Sequence, residues 1–204
     1  MSVALVLGSG HTLADDVARY TGPYHGVVAC NDAGAWWPYA LDAWVTLHPE
    51  KFEKWIECRA GDTGLLVSHR QPKPHIARKM DVVTTFMLPG VEKTGSSGMF
   101  AAKVALVDLK FDHAVLCGIP MTATPHFHGA TNWLEYAPDE SHAYNFRRQW
   151  IDIDDDTKGR MRSMSGWTKT LLGSPEWNDE AGYARLMARE KADDTPRKTD
   201  QPNG

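Results

Sequence analysis

Apolar residues in this chain gather in short unbroken runs. The first is Val3-Ala4-Leu5-Val6-Leu7. Five apolar residues without a polar one predict a strand buried on both faces, the condition of a parallel sheet. Similar runs follow at Gly26-Val27-Val28-Ala29-Cys30, Ala43-Trp44-Val45-Thr46-Leu47, Gly64-Leu65-Leu66-Val67-Ser68, Asp81-Val82-Val83-Thr84-Thr85 and Ala114-Val115-Leu116-Cys117. Gly159-Arg160-Met161-Arg162-Ser163-Met164 is a candidate last strand.

Between these runs the spacing turns helical. Leu13, Val17 and Tyr20 share a face behind Thr12, which reads as an N-cap with Asp15 completing a capping box. Pro49 suits a first helical turn, followed by Phe52, Trp55 and Ile56 on one face. Further helices are predicted over 99–109, 140–152 and 167–172. Strands alternating with helices predict an α/β fold with a mostly parallel sheet flanked by helices. Ligands in such folds bind beyond the carboxyl ends of the strands. The segment 122–139 is rich in His, Thr and Pro and has no periodicity, which marks an active-site or binding loop. The organisation expected is one domain over 1–175 and a C-terminal helical segment over 176–191. A disordered tail is expected over 192–204, where no large apolar residue occurs.

Composition narrows the class. The chain has 204 residues, 42% hydrophobic and 24% charged, which suits one globular domain and excludes a wholly disordered, collagen-like or coiled-coil chain. No apolar run reaches the ~18 residues of a membrane span. The N-terminus has no basic region and reads as a first strand, not a signal peptide. A net charge of −4 argues against a general nucleic-acid binder, though not against an enzyme that meets nucleic acid locally. The three cysteines, Cys30, Cys58 and Cys117, form no CxxC pair and read as reduced thiols of a cytoplasmic protein. Nine His and eight Trp are rich for the length; such rings line ligand clefts or fill cores.

The chemistry-bearing positions follow the strands. Gly8-Ser9-Gly10 lacks the third glycine of a dinucleotide fingerprint and the Lys of a P-loop; it is either a backbone cradle for a phosphate or a turn that needs glycine. Asn31-Asp32 either reads a ribose or base or makes an Asx turn. Thr94-Gly95-Ser96-Ser97-Gly98 is either a capped helix start that needs no ligand or, since it carries more hydroxyls and glycines than a cap needs, a ligand site at a helix start. Gly118 closes the sixth strand, and His48 follows the third. His126 and His128 alternate on the loop, but lack the partners a metal site needs, so they read as exposed or ligand-contacting and no metal is expected. The run Asp152-Ile153-Asp154-Asp155-Asp156 reads as a solvated helix end or turn. There is no GxSxG elbow, and no cysteine has an evident base partner.

Five of these elements, in this order, resemble one family. They are Leu7-Gly8-Ser9-Gly10-His11-Thr12-Leu13, Val28-Ala29-Cys30-Asn31, Val45-Thr46-Leu47-His48-Pro49, Thr94-Gly95-Ser96-Ser97-Gly98-Met99 and Val115-Leu116-Cys117-Gly118-Ile119-Pro120-Met121. The chain resembles the small Rossmann-like sialyltransferases of bacterial lipooligosaccharide synthesis and the related MptE-like proteins (domain of unknown function 115). Its Arg-Ser-Met-Ser-Gly-Trp segment also looks like small proteins of tailed bacteriophages. The resemblance implies a single Rossmann-like nucleotide-binding domain that takes a nucleotide sugar as co-substrate, with no obligatory cofactor. It places Gly8, Gly10, Asn31, Ser97 and Gly98 at the nucleotide, and the strand-end and helix-start reading adds Ser9, Asp32, Thr94, Ser96 and Gly118 to them. By position it makes His142 the general base and sets Tyr144 on the substrate side, where the strand-end His48 and the loop residues His126 and His128 are also expected. His48 stands where sialyltransferases carry an Asn and MptE-like proteins an Asp. The implied reaction is metal-independent transfer of a sugar to a hydroxyl, on a sugar acceptor or, in a phage setting, a modified DNA base. The alternatives are MptE-like Mg-dependent diphosphate transfer, and a non-catalytic nucleotide-binding or phage accessory protein. No membrane partner is implied.

Overall fold

The computed structural model describes residues 1–59, 61–92, 95–122, 140–176 and 181–182, with backbone alone over 140–144. Seven strands form one sheet: β1 (Val3–Leu7), β2 (Gly26–Cys30), β3 (Ala43–Thr46), β4 (Leu65–Ser68), β5 (Val82–Val83), β6 (His113–Cys117) and β7 (Met161–Ser163). Their order is β5-β4-β3-β2-β1-β6-β7, and every neighbouring pair is parallel. The fold is thus the α/β architecture with a parallel sheet that the apolar runs predict. The chain winds outward from β1 to β5, then returns across the sheet to β6 beside β1. That return makes β1/β6 the switch point of the topology.

The helices are α1 (Leu13–Arg19), α2 (Ala33–Trp36), α3 (Phe52–Glu57), α4 (Ser97–Lys103), α5 (Glu140–Asp152), α6 (Asp155–Gly159) and α7 (Gly166–Leu172). The two-residue period of the strands sorts the core onto two faces. Val3, Leu5 and Leu7, with Val27, Ala29, Trp44 and Leu66, pack with Leu13 of α1, Ala33 of α2, and Phe52 and Trp55 of α3. Ala4 and Val6, with Val28, Ala43, Val45 and Ala114, pack with Met99, Phe100, Ala101 and Ala102 of α4, Trp150 of α5 and Leu172 of α7. The small residues on this second face, Ala4, Ala43 and Ala114 against Ala101 and Ala102, let α4 lie close on the sheet centre.

Several local expectations are corrected. Thr12 precedes α1, but its side chain makes no cap bond; its Oγ1 donates to Asp16 Oδ2 at 2.9 Å instead, because Asp16 turns inward. The fifth strand shrinks from 81–85 to Val82–Val83, an edge pair with only β4 beside it. The helix expected over 99–109 is α-helical through Lys103 and continues as a π-turn over Val104–Asp108. Pro49 opens a 3₁₀ turn (Pro49–Lys51) ahead of α3. The carboxylate run holds one more helix: Asp154 caps α6, accepting from Thr157 N at 2.8 Å. The helical segment expected over 176–191 and the tail over 192–204 lie outside the described residues, apart from 176 and 181–182. Among the described residues no helix is long and apolar enough to cross a membrane.

Candidate functional site

The carboxyl ends of β1 and β6 meet directly. Gly8 N donates to Cys117 O, and Gly10 N to Gly118 O, each at 2.8 Å. A Cβ on Gly8 or on Gly10 would lie 2.6 Å from Gly118 O. Gly118 has φ +68, and a Cβ there would strike Gly8 O. These three glycines therefore let two backbones touch, which accounts for them as packing residues.

Asp16 holds the same corner from below. It is fully buried, and its Oδ2 accepts from Gly118 N (2.9 Å), Ser165 Oγ (2.6 Å) and Thr12 Oγ1 (2.9 Å). Its Oδ1 pairs with Arg19 at 2.8 Å. Ser165 belongs to the turn between β7 and α7, where Gly166 (φ +67) sits against Pro120 and Trp167 N donates to Pro120 O at 2.8 Å. The Arg-Ser-Met-Ser-Gly-Trp segment thus carries β7 and braces the turn after β6.

The remaining polar groups spread over the ends of β1 to β4. Ser9 Oγ donates to Asp32 Oδ1, and both residues are buried. Asn31 takes the left-handed conformation (φ 51), a region Asn tolerates better than most residues. Thr46 Oγ1 donates to Asn31 Oδ1 at 2.8 Å and accepts from His48 N at 2.9 Å, so one hydroxyl ties the ends of β2 and β3. Trp44 Nε1 donates to Asn31 O at 2.5 Å. His48 Nδ1 lies 3.6 Å from Glu50 Oε1, and Glu50 Oε2 accepts from Arg70 Nη2 at 2.9 Å. His69, next to Arg70, sets its ring edge-on to Phe86 with centroids 5.6 Å apart. Burial, then the Lys51 charge, holds the His48 imidazole below its ordinary value. Burial, then Arg70, does the same to His69.

On the far side of the sheet, Ser96 caps α4 by accepting from Met99 N at 3.2 Å. Ser97 and Gly98 form the first turn and are buried, Gly98 against Ile119. Cys30 and Cys117 are buried free thiols at the ends of β2 and β6, and Cys58 is an exposed one. Burial, with Asp32 nearby, pushes Cys30 up to about 12, so it is inert as a nucleophile at neutral pH. Among the described residues no three His, Cys, Asp or Glu converge as a metal site.

Of the expected site residues, Gly8, Ser9, Gly10, Asn31, Asp32, His48, Ser96, Ser97, Gly98 and Gly118 all flank the carboxyl edge of the sheet. Thr94, His126 and His128 lie outside the described residues; His142 and Tyr144 fall on α5 without described side chains. Sequence reasoning missed Thr46, Glu50, His69 and Arg70. The last two stand directly after β4, the same position that drew attention to His48 after β3, so the strand-end rule could have found them. Glu50 shows no such sign; only the 3₁₀ turn at Pro49 brings it back to the ring.

No protein-family model matches the sequence, and no curated protein does. Two solved structures are similar. One is the sialyltransferase CST-II in complex with a trisaccharide acceptor and CMP: 14% identity, TM-score 0.50, covering 87% of this chain and 88% of that one. The other is CstII from Campylobacter jejuni in complex with a substrate analogue, cytidine-5'-monophosphate: 12% identity, TM-score 0.46, covering 92% and 99%. The first likeness, spanning nearly the whole of both chains, assigns this chain a sialyltransferase-like α/β fold.

Proposed function

We propose that this chain is a glycosyltransferase-like enzyme. It takes a nucleotide sugar as donor, with no obligatory metal, and passes the sugar to a hydroxyl acceptor. Asn31 is the observation that carries the reading. Its left-handed backbone, and the Thr46 hydroxyl on its Oδ1, turn a strand-end asparagine into a fixed group at the edge where parallel sheets bind ligands. With Oδ1 engaged by Thr46, its Nδ2 is the donor offered to a ribose or pyrimidine oxygen. Ser9 and Asp32 beside it, and the start of α4 at Ser96, Ser97 and Gly98 with Thr94, complete the nucleotide side. Gly8, Gly10 and Gly118 serve by letting the β1 and β6 ends close up. His48, His126, His128 and Tyr144 are the substrate-side residues. Transfer needs a base for the acceptor hydroxyl, and His142 on α5 is the residue that the sequence resemblance offers. The crystallised neighbour with CMP and a trisaccharide acceptor supports a cytidine nucleotide as the first donor to try.

A thermal-shift panel tests the reading. CMP, CDP, UDP, GDP, ADP, ATP and several nucleotide sugars are compared with and without Mg²⁺. A ligand at 100 times its dissociation constant stabilises the folded state by ~2.7 kcal/mol. A metal-independent shift with one nucleotide class is expected. A shift only with Mg²⁺ and a triphosphate points to diphosphate transfer instead, and no shift with any compound sinks the nucleotide site.

A further inference from the structure

We propose that His48, aligned by Glu50 and Arg70, is the group that takes the proton from the acceptor hydroxyl. This rests on the donor-binding reading above and assigns the base to the end of β3 in place of His142 on α5.

The geometry is built by three local features. Thr46 Oγ1 holds the His48 amide at 2.9 Å and Asn31 Oδ1 at 2.8 Å, so His48 starts from a fixed point beside the proposed nucleotide edge. Pro49 then begins the 3₁₀ turn Pro49–Lys51, which folds Glu50 back until its Oε1 is 3.6 Å from His48 Nδ1. Arg70, arriving from the end of β4, takes the other oxygen of Glu50 at 2.9 Å. Imidazole, carboxylate and guanidinium so form a chain across two adjacent strand ends. The separation of 3.6 Å is slightly longer than a hydrogen bond, a looseness common in catalytic pairs without substrate. A carboxylate facing Nδ1 favours the tautomer with the proton on that atom and leaves the lone pair on Nε2. The His48 side chain is 50% exposed, so the ring is open to a reacting molecule. Exposed pairs of this kind contribute little to stability, so substitutions at Glu50 and Arg70 leave the fold in place for the test.

The charges around the ring are Glu50, which favours the imidazolium, and Lys51 and Arg70, which oppose it; His69 stands on the Arg70 side. Burial and Lys51 dominate, and the ring is held below its ordinary 6.5. At pH 7 it is therefore neutral and able to accept a proton. In the reaction His48 Nε2 takes the hydroxyl proton. The acceptor oxygen bonds to the anomeric carbon of the donor. The bond from that carbon to the phosphate oxygen breaks, and its electron pair leaves with the nucleotide. The imidazolium, facing Glu50, then returns its proton to water.

Two measurements test this. Ring titration by NMR on the unliganded protein needs no substrate. His48 is expected to titrate below 6.5, lower still in Glu50→Gln, and higher in Arg70→Gln. A ring that titrates at 6.5 and ignores both substitutions overturns the alignment. The second measurement is nucleotide release from a CMP-sugar and a UDP-sugar with lactose as acceptor. His48→Asn is expected to lower kcat at least ~100-fold, the usual size of a general-base contribution, while the thermal shift by the donor persists. The acid limb of wild-type kcat is expected to move down in Glu50→Gln and up in Arg70→Gln, as the ring does. A His48→Asn variant that turns over like wild type overturns the proposal and returns the role to His142. A donor that binds but releases no nucleotide in wild type overturns the catalytic role. No thermal shift with any nucleotide overturns the donor reading, and this role with it, while the ring titration still reports on the alignment.

Discussion

Asp16→Ala is the sharpest test of how the corner between β1 and β6 is held. The carboxylate accepts four hydrogen bonds, and they are not equal. Arg19 is 59% exposed, so its pair is worth ~0–1 kcal/mol. Thr12 Oγ1 and Ser165 Oγ lie 2.8 Å apart, so without Asp16 they can bond to each other and lose little more than ~1 kcal/mol between them. The Gly118 amide is different. It is buried, and leaving such a donor unmet costs ~1–3 kcal/mol. The sum is about 3 kcal/mol. Urea unfolding at pH 7, followed by tryptophan fluorescence, reads it directly. With a slope of about 2 kcal/mol per M, the midpoint should fall by roughly 1.5 M at unchanged slope. Arg19→Ala, as control, should lose under ~1 kcal/mol. A loss below ~1 kcal/mol in Asp16→Ala would refute the account, because the Gly118 amide would then have been satisfied some other way.

Two further outcomes follow from titrating groups. The Thr157 amide, and then its hydroxyl, hold the Asp154 carboxyl below its ordinary 3.8, so its contribution is present above that value and lost as pH falls through the lower folded one. Asp154→Ala should cost ~1 kcal/mol at pH 7 in urea unfolding, the usual worth of an N-cap, and the gap to wild type should close on acidification below pH 3.8; a gap independent of pH contradicts this. Burial raises Cys30 to about 12 from an ordinary 9.0 and raises Cys117 further, so the stability tied to keeping both thiols neutral is intact below pH 9.0 and erodes above it. Iodoacetamide at pH 8 should label Cys58 alone in the native protein and all three thiols in urea; native labelling of two would show the sheet end to be open.

The central strands β1, β2, β3 and β6 were legible because each is a short apolar run closed by a turn residue and buried on both faces, whereas the edge pair β5 is partly exposed and its bounds were not. Strand order was not, since nothing within Val3–Leu7 says that β6, more than a hundred residues later, will lie beside it. The four residues of α2 are too few to show a helical period, and α6 was hidden because its acidic residues read equally well as a solvated turn. At the site, single strand-end residues could be named, but not their partners. Thr46 looked like one more strand residue, yet its hydroxyl joins Asn31 to His48. Asp16 drew no reading beside Asp15 of the capping box, because its partners Gly118 and Ser165 lie 102 and 149 positions away. Contacts of that separation belong to the topology, which local spacing does not encode.

The position of β1 at the centre of the sheet has a consequence for synthesis. On one side it pairs with β2, which emerges from the ribosome soon after it; on the other it pairs with β6, register Leu7↔Cys117. At ~5–20 residues per second, the two ends of that second pairing are separated by about 5–20 s of translation. For the last part of that interval, once β5 has emerged and β6 has not, a nascent sheet of β1 to β5 carries Val3-Ala4-Leu5-Val6-Leu7 as an uncovered edge, an unbroken apolar strand without a charge or proline to discourage pairing with another chain. Half-made chains on neighbouring ribosomes are therefore the moment of greatest aggregation risk, and codon choice between β5 and β6, by lengthening or shortening the wait, should govern yield without altering the finished molecule.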